Sequence, residues 1–372
     1  MNRNGFCFRE HVIFQLQSLF ESYGYIQYKM NKFEEYDLYA KNKDFLLSDS
    51  VITFTDFGGK LMALKPDVTL SIVKNSRDDL KSQQKLFYNE NVYRVDRGGY
   101  GFKEMTQVGL ECIGYTDDFS ILEVLMLAAS SLKAISCECI LDVSHLGILK
   151  DILSAVGIPL SGQDAAFRYV AEKNIHELDT CCRSFGVSEE QINWLNRLLR
   201  CNGSPYTVLP VIRELLQGTA DEEKVDRLIR IFAALQGSGM EDMFRFDFSA
   251  VDDIRYYNGI VFKGFVHGVP TSVLSGGQYD NLMRKMHRKS DAVGFAVYID
   301  RLEQLEPKER KYDVDIVLLY EDSSLAAAVQ YAEQLRRQGS SVMMQRYIPE
   351  TVQYRQLQRV CGSEVEILED NA

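Results

Sequence analysis

The residues in this chain whose types and spacing could do chemistry lie in Gln107-Val108-Gly109-Leu110-Glu111-Cys112-Ile113-Gly114. Read as a strand, this stretch puts Gln107, Gly109 and Glu111 on one face and Val108, Leu110 and Cys112 on the other, because side chains alternate with a period of two. The second face suits a core. The first carries an amide and a carboxylate on either side of a glycine. A bare backbone patch between two polar groups leaves space above the sheet and would floor a small polar pocket. The competing reading is a half-exposed strand with its polar face in water, as antiparallel sheets often have. The rest of the chain must decide.

The totals bound the answer. At 372 residues the chain exceeds what one core usually holds, so two or three domains are expected. Hydrophobic residues make up 46% and charged residues 26%, which suits a globular protein in water. No apolar run is long enough to cross a membrane. Residues 1–10 carry no apolar core of signal-peptide type. The 8 cysteines are scattered, and Cys137/Cys139 and Cys181/Cys182 sit too close together for a zinc pair. With 5 histidines and no HxxxH spacing, neither a metal site nor a cofactor is expected. These features place the protein in the cytoplasm with reduced thiols. The net charge of −11 and pI near 5.1 remove the electrostatic default that long phosphate backbones need.

Several elements must position the central strand. Residues 9–22 hold Val12, Ile13, Leu16, Leu19 and Phe20 at helical spacing, and Gly24 follows as a C-cap. Residues 25–28 read as a short strand. Ile52-Thr53-Phe54-Thr55 runs into a hairpin turn at Asp56-Phe57-Gly58-Gly59-Lys60, and residues 61–64 return. Pro66 stops that strand, and Thr69 opens a helix with Asp67 near its positive end. Residues 85–94 pair with the central strand across the loop Arg97-Gly98-Gly99-Tyr100-Gly101. A helix from Asp117 to about Lys133 turns Leu122, Leu125 and Met126 inward. A strand follows at 138–143 and a helix at 146–156.

Between about 160 and 238 the strand signal vanishes and amphipathic helices replace it, with a break at Gly203-Ser204-Pro205. Strands resume at 244–251, 259–265 and 273–274. Gly276-Gly277 reads as a turn into a helix at 279–286, and 293–297 as a buried strand or helix entry. The expected organisation is a core at 1–305 with a helical insertion at about 160–238. A charged linker at 306–311 and a small strand–helix–strand domain at 312–372 complete it.

Taken in order, these segments resemble the histidyl-tRNA synthetase-like fold. Leu64-Lys65-Pro66-Asp67-Val68-Thr69 is similar to its "LRP(E/D)xT" element. Tyr93-Arg94 with the strand 107–114 resembles class II motif 2. Tyr256-Tyr257-Asn258-Gly259-Ile260-Val261-Phe262 and Ser275-Gly276-Gly277-Gln278-Tyr279-Asp280 resemble the second histidine-specific signature. Val293-Gly294-Phe295-Ala296 with Asp300-Arg301-Leu302 resembles motif 3. The likeness spans about 8–305, with the helical insertion in the right gap. It implies an α+β class: a class II aminoacyl-tRNA synthetase-like antiparallel sheet flanked by helices, with a helical insertion and a small C-terminal α/β piece resembling a truncated anticodon-binding domain.

The resemblance also implies residue roles. Asp67, Thr69, Gln107, Glu111, Tyr257 and Tyr279 fall on positions that hold the α-amino group and imidazole of histidine. Carboxylates suit an ammonium and an imidazole N–H, and tyrosines give an apolar wall with a polar tip. Arg94 and Arg301 match the family's nucleotide contacts and read equally as structural ion-pair residues.

Two kinds of protein share this core, the synthetase and its non-charging paralogue, the regulatory subunit of ATP phosphoribosyltransferase. The departures favour the second. Asp252 falls on the arginine of the synthetase's "VRGLD" and Asp253 on its glycine, which inverts the charge where an α-phosphate reacts. Arg255 points elsewhere along the strand. The motif 2 loop is one residue shorter and lacks an arginine, and Gln278 stands where the family has arginine. Asp67 matches the regulatory "RPDxT", with Lys65 in place of its arginine. Asp142-Val143-Ser144-His145 looks like the regulatory "GH" element, with His145 itself reading as a structural cap.

The implied function is therefore a non-catalytic, histidine-sensing subunit. The family implies a homodimer and a hetero-octamer with the short-form catalytic subunit, L-histidine as effector, and no tRNA. A divergent active histidyl-tRNA synthetase and a stand-alone histidine-binding module stay open on the sequence alone.

Overall fold

Strands that alternate between large apolar and small or polar residues build the central sheet of the larger unit. The computed structural model describes residues 8–46, 51–95, 101–250, 256–305, 312–362 and 364–371. The chain divides into a unit spanning Arg9–Leu305 and a smaller C-terminal one. The first unit contains β1 (Ile26–Gln27), β2 (Phe33–Glu35), β3 (Thr53–Thr55), β4 (Leu61–Leu64), β5 (Gln84–Val95), β6 (Phe102–Gly114), β7 (Cys139–His145), β8 (Phe244–Phe246), β9 (Ile260–Val266), β10 (Leu274–Gln278) and β11 (Asp291–Tyr298). Eight of these form one sheet in the order β1-β5-β6-β11-β10-β9-β7-β8. The six inner strands are antiparallel, and each outer strand is added parallel. The short strands β2, β4 and β3 make a separate antiparallel sheet.

The register sorts the residues by face. One face carries Phe87, Leu110, Phe295, Phe262 and Val143 in adjacent rows, all buried. Two helices cover it. The helix Phe8–Ser22 buries Val12, Leu16 and Phe20, and the Phe20 ring lies 6.0 Å from Phe87 and 5.8 Å from Phe295. The helix Asp118–Ile135 starts at Asp117, whose side chain accepts from the Ser120 backbone N–H at 2.8 Å, as an N-cap should. Its buried stripe is Ile121, Val124, Leu125, Ala128 and Leu132, so Leu122 and Met126, expected inside, are only half-buried. The buried stripe drifts around this almost wholly apolar helix, and periodicity alone does not show which apolar positions face the sheet.

Gly276 and Gly277 are not a turn. Both lie within β10, and neither has a positive φ. A Cβ on Gly276 would stand 2.4 Å from the Gly294 carbonyl oxygen and 2.4 Å from Phe295 Cβ. Glycine is used here for close approach between strands rather than for backbone freedom.

Helices Leu160–Ala171, Ile175–Ser184, Glu189–Leu199, Pro205–Leu215 and Glu222–Ala234 fill the stretch without strand signal. The break between the third and fourth returns the chain to the sheet. Gly203 donates to the Phe246 carbonyl at 3.0 Å and accepts from the Phe246 N–H at 2.8 Å. Pro205 then opens the next helix in its first turn, where a missing N–H costs nothing. The resumed strand β8 is only three residues long.

In the C-terminal unit β12 (Val314–Tyr320), β13 (Val342–Gln345), β14 (Tyr354–Cys361) and β15 (Glu364–Asp370) form a sheet in the order β13-β12-β14-β15, with helix Leu325–Arg337 packed on it. The last two strands go beyond the expected strand–helix–strand. Their sequence is mostly polar, with Leu357 and Val360 among their few buried apolar residues, so they carry little hydrophobic signal. The charged segment at 306–311, the motif 2 loop tip at 96–100, and Asp252, Asp253 and Arg255 lie outside the described residues.

The close approach at Gly276 gives a test. Gly276→Ala places a methyl against fixed backbone and should cost about 1–3 kcal/mol, read as a lower urea midpoint for unfolding.

Candidate functional site

The face of the sheet opposite the helices is built from small and polar residues. Tyr88 and Glu90 on β5 pair with Gly109 and Gln107 on β6, which pair in turn with Ala296 and Tyr298 on β11. Glu111 pairs with Gly294, and Gly294 with Gly277. The glycines are where large side chains lie down. A Cβ on Gly294 would sit 1.8 Å from Glu111 Oε2, and one on Gly277 would sit 2.8 Å from the Tyr257 ring. The glutamate and the tyrosine therefore lie flat over bare backbone.

Glu111 is only 2% exposed. Its Oε1 accepts from the Thr69 hydroxyl at 2.8 Å, and its Oε2 accepts from the Tyr279 hydroxyl at 2.6 Å. Thr69 is the first residue of helix Thr69–Asn75, and Tyr279 immediately precedes helix Asp280–Lys285. Asp67, two residues before Thr69, accepts from the Leu70 N–H through Oδ1 at 2.8 Å. The Tyr256 ring lies 4.7 Å from that of Tyr257 and 5.7 Å from that of Tyr279. Thus Asp67, Thr69, Glu111, Tyr257 and Tyr279 come together from four separate parts of the chain. Gln107 shares the face and is buried, but it lies four residues from Glu111, about 13 Å along the strand.

Burial sets the electrostatics. It pushes the Glu111 carboxyl up to about 8, against the hydrogen bonds from Tyr279 and Thr69, and the nearby Asp67 raises it further. Burial also raises Asp67, opposed by the Leu70 N–H and the Arg94 charge. Tyr88, Tyr256 and Tyr279 are held as phenols by burial and by these carboxyls. An ammonium or an imidazole N–H placed among these groups would relieve both carboxyls at once.

Two residues escaped the sequence reading. The space over Gly109 is not open, because a Cβ there would meet the Tyr88 hydroxyl at 2.5 Å. Gly109 makes room for Tyr88, which sits within the electrostatic reach of Glu111, Asp67 and Tyr257. The signal was present in the hairpin register, which sets Tyr88 opposite Gly109. Tyr256 is the second, buried between Phe45, Tyr257 and Tyr279. It stood beside Tyr257 in the sequence, and its packing could not be read there.

The remaining candidates fill structural places. Arg94 donates from Nε to the Pro66 carbonyl at 3.1 Å. Arg301 donates from Nη1 to the Ser272 carbonyl and to Ser272 Oγ, and its guanidinium lies 4.1 Å from the centre of the Tyr298 ring. Lys65, 1% exposed, is ion-paired with Glu90. Gln278 donates to Asp280 Oδ2 at 2.8 Å, while Asp280 Oδ1 accepts from the Ala292 N–H at 3.1 Å. His145 caps helix Leu146–Ala155, its Nδ1 accepting from the Ile148 N–H at 3.2 Å. Burial lowers its pKa to about 4, so it works as a neutral acceptor.

A class II synthetase-like sheet with a buried carboxyl, a threonine and a tyrosine cluster on its polar face defines the class of protein. The chain belongs to the histidyl-tRNA synthetase family, whose model matches residues 6–302. Two curated relatives carry the name ATP phosphoribosyltransferase regulatory subunit. The one from Oceanobacillus iheyensis is 26% identical over 346 residues, covering 91% of this chain and 85% of the relative. The one from Thermoanaerobacter sp. is 28% identical over 348 residues, covering 91% and 90%. A solved structure described as an ATP phosphoribosyltransferase regulatory subunit/histidyl-tRNA synthetase from Bacillus halodurans is 25% identical, with a TM-score of 0.74 over 91% of this chain and 88% of that one. Among the described residues no helix is long and apolar enough to cross a membrane.

The raised Glu111 carboxyl predicts a pH dependence of stability. The native state holds this proton between about 4.5 and about 8, where the unfolded chain has lost it. The stability it contributes is full below about 4.5 and is lost as pH rises through about 8. Glu111→Gln should flatten the fall in the urea unfolding midpoint measured across that window, by an amount on the order of a few kcal/mol at the alkaline end.

Proposed function

We propose that this chain is the histidine-sensing regulatory subunit of an ATP phosphoribosyltransferase and has no catalysis of its own. It acts in the cytoplasm by assembling with a short-form catalytic subunit. That enzyme condenses ATP with phosphoribosyl pyrophosphate, the first step of histidine synthesis. The names of the curated relatives, which match over about nine-tenths of this chain, support the partner and the role.

The observation that carries the sensing role is the buried side-chain cluster around Glu111. Its two carboxyls, raised by burial, sit within a wall of tyrosines and have the donor demand of an amino-acid ammonium and an imidazole. In this reading Asp67 and Thr69 take the α-amino end. Glu111, Tyr257 and Tyr279 take the ring, and Gln107 extends the polar floor. Feedback follows if histidine binds more tightly to the inactive assembly than to the active one.

The absence of catalysis has its own support. The two arginines that match nucleotide contacts both donate to main-chain carbonyls of this chain. The sequence also has Asp252 where a charging enzyme has arginine. A site that retains recognition without preorganised positive charge binds an amino acid and does not activate it.

The decisive experiment mixes the purified chain with the short catalytic subunit. Transferase activity should rise on mixing and fall when histidine is added, while the chain alone shows no histidine-dependent pyrophosphate exchange. No activation and no response to histidine would overturn the reading. Glu111→Ala should weaken histidine binding at least about tenfold by calorimetry, because it removes a buried charged-group acceptor. The variant should still co-elute with the catalytic subunit.

A further inference from the structure

A cavity borders Tyr257, and Glu111 is not part of its lining. It has a volume of about 320 Å³ and takes its walls from helix Leu146–Ala155, from helix Leu160–Ala171 of the insertion, and from the segment around Asn258. Lys150, Asp164, Gln163, Asn258 and Asn281 line it together with Tyr257.

The cavity has unused polar capacity. Among the described residues, the side chains of Lys150, Asp164 and Asn281 make no ion pair or hydrogen bond, though a cation and a carboxylate border the same space. Charges close by are matched: Asp151 pairs with Lys224, and Lys173 with Asp247 at 2.7 Å. Asn258 donates its amide to Asp280 Oδ2 at 3.2 Å, but its Oδ1 is buried with no donor. Gln163 is fixed by its bond to Ser154 Oγ at 2.8 Å, so this wall is formed in advance. Phe167, buried, adds an apolar surface.

A ligand that completes this wall needs an anionic group for Lys150 and a cationic N–H donor for Asp164. Both must sit on a frame small enough for the cavity. A polyphosphate is a poor fit, since Asp164 would repel it and a single lysine would have to hold it. We propose that this cavity is a second ligand site, distinct from the Glu111 pocket, and that it takes the zwitterionic head of a free α-amino acid. Its volume is at the lower end of the range for small-molecule sites, which suits a ligand of that size. Tyr257 borders this cavity and also lies over Gly277, so the two sites share one side chain.

The test is saturation-transfer NMR with each standard L-amino acid on the full chain, comparing wild type with Glu111→Ala, Lys150→Ala and Asp164→Ala. At least one amino acid should bind both wild type and the Glu111 variant. Its affinity should fall at least about fivefold in each of the Lys150 and Asp164 variants, as expected for loss of a charge-assisted contact. Both substituted side chains are exposed, so thermal unfolding should be unchanged and should exclude misfolding as the cause. Binding that disappears altogether in Glu111→Ala, binding indifferent to Lys150 and Asp164, or no binding by any amino acid would each overturn the proposal.

Discussion

A carboxyl buried without a cation is tolerated only when donors are brought to it, and Glu111 dictates where those donors must stand. Thr69 and Tyr279 each give it a hydroxyl hydrogen. Thr69 can do so only if the chain turns after Pro66 and opens a helix there. Tyr279 can do so only if β10 ends at Gln278, next to β11. The strand opposite must carry glycine at position 294, since a methyl would collide with the carboxyl. One side chain thus ties together the β6–β11 register, the end of β10 and the first turn of a distant helix. A one-residue slip of β6 would put Glu111 into the face occupied by Phe87 and Phe295 and would expose Leu110.

Much of this was legible in the sequence wherever the signal was local. The alternation in 107–114, the long hairpin with residues 85–94, the helix beginning near Asp117 and the helix opened at Thr69 all depend on a few neighbouring residues, and all appear in the structure. The failures share a physical cause. Glycine looks the same in a sequence whether it supplies a turn or admits a neighbour. Gly109 and Gly276-Gly277 do the second, and only the pairing partners, Tyr88 and Phe295, reveal it. Tyr256 was hidden because its neighbours Phe45 and Tyr279 are far away in the chain. Strands β14 and β15 were missed because a small sheet edge with few buried residues leaves almost no hydrophobic period to detect.

The polar face of the sheet also separates binding from reaction in physical terms. Recognition of a small cationic or N–H-rich group needs acceptors already in place, and burial makes such acceptors strong because water cannot compete for them. Stabilising a reacting phosphate needs the reverse, fixed positive charge aimed at the place where negative charge develops. The Arg94 and Arg301 guanidinium groups are drawn to the carbonyls of Pro66 and Ser272, and Lys65 is neutralised by Glu90. The acceptors around Glu111 are therefore not matched by a counterpart set of uncommitted cations at these three positions.

That imbalance bears on how a pocket of this kind can report occupancy. Burial raises the Glu111 carboxyl to about 8, against the two hydroxyls that donate to it. A cation or N–H donor placed beside it would favour the ionised form and lower that pKa. The hydroxyls of Thr69 and Tyr279 both donate to it already. Those residues sit at the ends of two helices, Thr69–Asn75 and Asp280–Lys285, and Tyr279 also donates its backbone N–H to Ala292 of β11 at 2.9 Å. The sheet beneath is pinned by glycine contacts that leave no room to shift. Both helices are tied to the sheet through the same carboxyl, so a change in its ionisation acts on the two together.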